Sequence, residues 1–141
     1  MNEQMRAYLA DWVAYAERDL GSAERQLEIE AWDVCCVLCE QAVEKYLKAL
    51  YVLRNEAEPP RTHKIVELAH DLGAPPELYE RLHILETDYI RTRYPVPLGD
   101  PGAPPSYDED TARNRLSRTR DMVAWVKNRL ADEEAQHEAD T

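Results

Sequence analysis

The sequence predicts an all-α fold, an antiparallel bundle of about five helices. Three observations carry that expectation. Apolar residues return every three or four positions over long stretches, the period of a helix face. Prolines fall between those stretches and not inside them. Nowhere in the 141 residues does an apolar–polar alternation of strand period occur, nor an internal repeat.

Met5, Leu9, Trp12, Ala16, Leu20, Ala23 and Leu27 mark one stripe of a first helix over residues 4–28. Gly21 interrupts it, at a cost near 1 kcal/mol in mid-helix, and suggests a close helix contact or a kink. A second helix, over 31–55, is apolar on two sides. Trp32, Cys35, Cys36, Cys39, Val43, Tyr46, Leu47, Leu50 and Leu53 form one face, and Val34, Leu38, Ala49 and Val52 the other. Between them Asp33, Glu40, Glu44 and Lys48 form a narrow strip expected to meet water. A helix with two apolar faces belongs at the centre, covered by its own chain on one side and by another helix or a second subunit on the other.

Glu58-Pro59-Pro60 ends that helix. Thr62 is placed to cap a short third helix over 63–72, with Gly73 as its stop. Pro75 and Pro76 open a fourth over 76–91, with Leu78, Leu82, Leu85 and Tyr89 inward. Five prolines and two glycines make residues 94–105 a long loop, and such loops often carry function. The fifth helix is expected over 108–131. Its start is acidic, as the helix dipole favours, and Ala112, Leu116, Thr119, Val123, Val126 and Leu130 form its buried stripe. The domain therefore covers 1–132, and 133–141 read as a disordered acidic tail.

Composition narrows the function. Seventeen Lys and Arg against 28 Asp and Glu give a net charge of −11, which argues against broad nonspecific binding to DNA or any phosphate backbone. Residues 59–98 are nearly neutral, so a basic groove would involve them. No apolar run reaches the ~18 residues of a membrane span. The start, Met1-Asn2-Glu3-Gln4, lacks the features of a signal peptide, so the expected location is cytoplasmic. The three cysteines cluster without a second Cys/His pair at zinc-site spacing, and read as small core residues. Glu67 and His70 show the Glu-x-x-His spacing once, without the partner motif of a carboxylate-bridged iron site. No self-contained metal site and no cofactor is expected. Phosphate-binding glycine loops, the zincin motif and the nucleophile elbow are also missing.

Four short stretches occur in the order found in one family. Gln41-Ala42-Val43-Glu44-Lys45-Tyr46-Leu47-Lys48-Ala49-Leu50 resembles the signature helix of the HEPN domain family, and Asp19-Leu20 with Ala23 resembles its first helix. Arg61-Thr62-His63 resembles the opening of its third helix. Asp88-Tyr89 followed by Thr92-Arg93-Tyr94-Pro95 resembles its arginine-tyrosine-proline turn. The resemblance implies a small helical bundle that forms a homodimer. It also implies a toxin-like or partner role beside a minimal nucleotidyltransferase antitoxin, acting on or binding RNA or nucleotide. The ribonuclease branch of the family carries an arginine followed after four to six residues by a histidine. Here none of His63, His70, His83 and His137 follows an arginine at that spacing. The chain resembles the arginine-tyrosine-proline branch, for which nucleotide binding has been proposed.

The residues themselves define candidates. Arg91 and Arg93 enter the proline loop, and an arginine fork matches phosphate in bidentate fashion; Arg93 has the alternative of tying the loop down through carbonyls or Asp88. Tyr94 can stack on a base, pack under the loop, or receive a nucleotide from the partner enzyme. Lys45 shares a helix side with apolar residues and needs a counterion, with Asp19 and Asp88 as candidates. His63, at the expected start of a helix, would be held neutral and able to act as a base or donor, or simply cap. Glu44 and Lys48, one turn apart, read as a solvated pair. The leading expectation is a groove bordered by Arg91, Arg93, Tyr94, His63 and Lys45. The alternative is a noncatalytic nucleotide-binding or scaffold module, and a third reading assembles residual ribonuclease activity from Arg93 and His63.

Overall fold

The computed structural model describes residues 1–100 and 106–140. Five helices follow one another: α1 (Glu3–Glu28), α2 (Trp32–Asn55), α3 (Ile65–Asp71), α4 (Pro76–Arg91) and α5 (Glu109–Ala139). Among the described residues there is no strand. Of the proline loop expected over 94–105, residues 101–105 lie outside the described residues.

Asn2 starts α1 by accepting the Met5 N–H on its side chain at 2.8 Å. The helix ends in a Schellman motif. Glu30 takes a left-handed conformation (φ 65°), its N–H reaches Leu27 O, and the Ala31 N–H reaches Gln26 O. Three residues, 29–31, therefore suffice to reverse the chain, and α2 returns antiparallel along α1. α1 runs unbroken past Gly21. A Cβ there would meet only the flexible end of Arg25, at 3.4 Å, so neither a kink nor close packing explains the glycine.

α2 is the axis of the molecule. Fourteen of its 24 residues are buried, and it touches all four other helices. Ala16 and Ala23 are fully buried against it from α1, where small side chains let two helices approach. On its other flank α5 contributes Ala112, Leu116, Thr119, Met122, Val123, Val126 and Leu130. Each of the fully buried leucines, such as Leu47, Leu50, Leu82 and Leu85, contributes on the order of 2 kcal/mol by leaving water. Cys35, Cys36 and Cys39 are free thiols inside this core.

Three sequence expectations need correction. Of the strip Asp33, Glu40, Glu44 and Lys48 only Asp33 meets water: the other three are buried, with His63 of the turn against Glu44 and Trp12 of α1 beside Lys48. α3 begins at Ile65 and not at 63, because Thr62 Oγ1 accepts the Lys64 N–H in a tight turn. α5 runs on to Ala139, past its expected end and through most of the stretch read as a disordered tail. Glu133 accepts two hydrogen bonds from Arg54 of α2, at 2.6 and 3.1 Å, and pairs with Arg129 one turn back, which ties this part of the helix to the body. The stop at Gly73 is as expected: it is left-handed (φ 80°), and the Gly73 and Ala74 amides close a second Schellman motif on His70 and Ala69.

Candidate functional site

The turn at 60–64, the short α3 and the longer α4 together line a groove of about 820 Å³. Arg61, His63 and Lys64 come from the turn, His70 from α3, and Tyr79, Tyr89 and Ile90 from α4. α2 passes beneath it.

Beside the groove, α2 places Glu40, Glu44 and Lys48 one turn apart on a single face. Glu44 Oε1 lies 2.6 Å from His63 Nδ1, and Glu44 Oε2 lies 3.5 Å from Lys48 Nζ. One buried carboxylate thus meets an imidazole with one oxygen and an ammonium with the other. The Lys48 amine also lies 5.8 Å from the Trp12 ring, a cation–π distance. Glu40 is fully buried, and among the described residues neither of its oxygens has a hydrogen-bond partner. Burial first, and the nearby Glu44 charge second, push its carboxyl up to about 8, while Arg93 and Lys48 work in the opposite direction.

Tyr89 joins the two ends of the site. The His63 ring stacks on it, with centroids 4.3 Å apart and an interplanar angle of 23°. The Arg93 guanidinium lies 3.8 Å from the same ring's centroid. Its Nη1 donates to Tyr89 O, four residues back in α4, at 3.0 Å.

The residues expected around one groove fall into separate places. His63 and Arg93 come together through Tyr89. Lys45 lies on the seam between α1 and α2, paired with Asp19 and 6.0 Å from the Tyr15 ring. Asp88 is buried on the α5 side, where it accepts from Arg115 Nε at 2.6 Å and from Tyr107 OH at 3.0 Å. Arg91 and Tyr94 are exposed, Tyr94 at 63%. His63 precedes α3 and does not start it, so the helix-dipole argument for its neutral form falls away. Glu40, Glu44, Lys48 and Tyr89 were not legible as site residues. The available signal was the four-residue spacing of Glu40, Glu44 and Lys48 on a helix already read as central.

With this geometry in hand, the class of protein is defined: a five-helix bundle whose central helix carries the signature stretch 41–50. The HEPN domain model matches residues 9–129, and the chain belongs to the HEPN domain family. Two solved structures are similar to it. TT1696 from Thermus thermophilus superposes with a TM-score of 0.74 at 28% identity, covering 86% of this chain and 97% of the other. ST0689, an archaeal HEPN homologue, gives 0.71 at the same identity and coverage. Comparison with curated proteins gives no match. Among the described residues no helix is long and apolar enough to cross a membrane.

Proposed function

We propose that this chain is the HEPN component of a two-protein system with a minimal nucleotidyltransferase, that it works as a homodimer in the cytoplasm, and that its α3–α4 groove binds a nucleotide or an RNA phosphate. One observation carries the groove's assignment. Arg61 and Lys64 line it without an ion pair among the described residues, beside the lining carboxylates Glu67 and Glu86, and Tyr79 and His70, with ring centroids 5.6 Å apart, line it too. Two cations outside any ion pair, beside aromatic faces, suit a phosphate joined to a base.

Binding is favoured over cleavage. His63 is engaged by Glu44 and Tyr89, and the arginine–histidine spacing of the ribonuclease branch is missing from the sequence. Arg93 supports the site from behind Tyr89, and Arg91 and exposed Tyr94 are left for the partner or for nucleotide transfer onto the Tyr94 hydroxyl.

Calorimetric titration with ATP and AMP tests the reading. Binding should weaken by at least about tenfold in Arg61→Ala/Lys64→Ala, since each charge-assisted phosphate contact contributes roughly 1.5–3 kcal/mol. Unchanged binding in that variant removes the groove, and no binding at all leaves a scaffold role. Structured RNA should survive incubation with the protein. Intact mass after incubation with the partner enzyme and ATP tests transfer to Tyr94, and light scattering at micromolar concentration tests the dimer.

A further inference from the structure

We propose that Glu40, Glu44 and His63 form a three-ligand site for a divalent transition ion of the zinc class, beside the α3–α4 groove, which His63 also lines. One donor atom from each residue lies within 4.8 Å of the other two. Ligands on a tetrahedral zinc ion stand about 3.3 Å apart, given bonds near 2.0–2.1 Å. To reach that spacing His63 Nδ1 must leave its 2.6 Å contact with Glu44 Oε1 and shift on the Tyr89 ring, and its side chain, 55% exposed, is the one member of the cluster that is not buried. The two glutamates are fixed, one helical turn apart on the most buried helix of the molecule.

Glu40 is the observation that points to a ligand. A carboxyl group removed entirely from water, with both oxygens unpartnered, is costly to keep unless something satisfies it. Its oxygens face the cluster, and the cluster's other members have donor atoms to share around one centre. A neutral carboxylic acid would still lack an acceptor for its proton, whereas a cation would satisfy both oxygens.

The class of ion follows from the donors and their neighbours. Lys48 lies 3.5 Å from Glu44 Oε2, and the charge of Arg93 reaches Glu40, as does the opposing charge of Glu86. With two positive groups beside two carboxylates, little net negative charge remains to hold a hard cation that needs six or more oxygens. An imidazole with two carboxylates suits a borderline ion bound through directed bonds. Lys48 keeps Glu44 Oε2 and so presents Oε1 to the site. Three protein ligands leave a coordination position open, and one of the three, His63, also lines the groove. The proposal is independent of nucleotide binding, because the ion alone is its ligand.

The test uses the full chain, stripped with chelator and titrated with Zn²⁺ by calorimetry, with Co²⁺ as the optical probe and no nucleotide present. One ion per chain should bind, and the Co²⁺ form should show visible ligand-field bands without thiolate charge transfer, which excludes the cysteines. Glu40→Gln, nearly isosteric, and His63→Ala, on an exposed turn, should each weaken binding by at least about tenfold. His70→Ala, on the groove wall, should leave it unchanged. Circular dichroism confirms that each variant is folded, and His63→Ala suffices if Glu40→Gln is not. Absence of stoichiometric Zn²⁺ binding, wild-type affinity retained in the Glu40 or the His63 variant, or a thiolate band would overturn the site.

Discussion

Glu44 Oε1 stands 2.6 Å from His63 Nδ1, and that contact joins the central helix to the turn that launches α3. The other Glu44 oxygen faces Lys48, and both of these side chains are more than nine-tenths buried. Removing the carboxylate would leave a buried ammonium without its counterion. Glu44→Ala should therefore cost about 3 kcal/mol, in the range found when one partner of a buried pair is deleted. Chemical denaturation measures it. Lys48→Met added to Glu44→Ala should recover part of the loss, and a double variant no more stable than the single one would show that the pair is not coupled.

Glu40 makes stability depend on pH in a direction opposite to that of most carboxylates. Its folded value, about 8, lies above the ordinary glutamate value of about 4.3. Between those values the folded state holds a proton that the unfolded chain has released, so stability falls as pH rises through the window and levels off above it. In chelator, the melting temperature should drop from pH 5 to pH 8. Glu40→Gln should flatten that slope and be the more stable protein at pH 8. A wild-type profile that rises across the window, or a variant with the same slope, would contradict this account.

The parts of the fold that sequence revealed were those governed by local chemistry. Pro76 sits inside the start of α4, Gly73 turns left-handed after α3, and the double apolar face of α2 marks it as the axis. Lys45 among apolar neighbours signalled a counterion, and Asp19 was one of two named. The site was less legible because it depends on what covers α2. Periodicity assigns charged residues outward, and contacts made far along the chain, such as His63 on Glu44 and Trp12 beside Lys48, go with the burial of Glu40, Glu44 and Lys48. Tyr89 carried the pattern of an ordinary core residue, though its ring meets His63 and Arg93. The last turns of α5 were hidden for a similar reason, since Glu133 gains its partner from Arg54, far away in sequence.

Two positions in α1 and its exit are set against the backbone they occupy. Gly21 lies in mid-helix without a contact that demands it, and Glu30 adopts φ 65°, where glycine is at ease. Gly21→Ala should stabilise the protein by about 0.5–1 kcal/mol, because alanine loses less chain entropy in a helix. Glu30→Gly should gain up to about 1 kcal/mol by relieving the left-handed cost within the Schellman motif. Each is read as a rise in denaturation midpoint at constant slope. Loss of stability in Gly21→Ala would mean that Arg25 cannot move aside.

Asp88 fastens α4 to the segment entering α5. Its Oδ2 accepts from Arg115 and its Oδ1 from Tyr107, and it is 2% exposed. Burial, then the Asp88 charge, raise the Tyr107 phenol well above its ordinary range, so this hydroxyl stays a donor at neutral pH. Asp88→Asn keeps the shape but strips Arg115 of its counterion, and should cost about 3 kcal/mol. Tyr107→Phe removes one hydrogen bond and should cost about 1–2 kcal/mol, since the acceptor is charged. Proteolysis then tells which end the contact holds. Asp88→Asn should admit cleavage at residues 94–100 and 106–108 faster than Glu44→Ala does at matched stability. Equal cleavage rates would mean that Asp88 supports the core as a whole and does not anchor that connection.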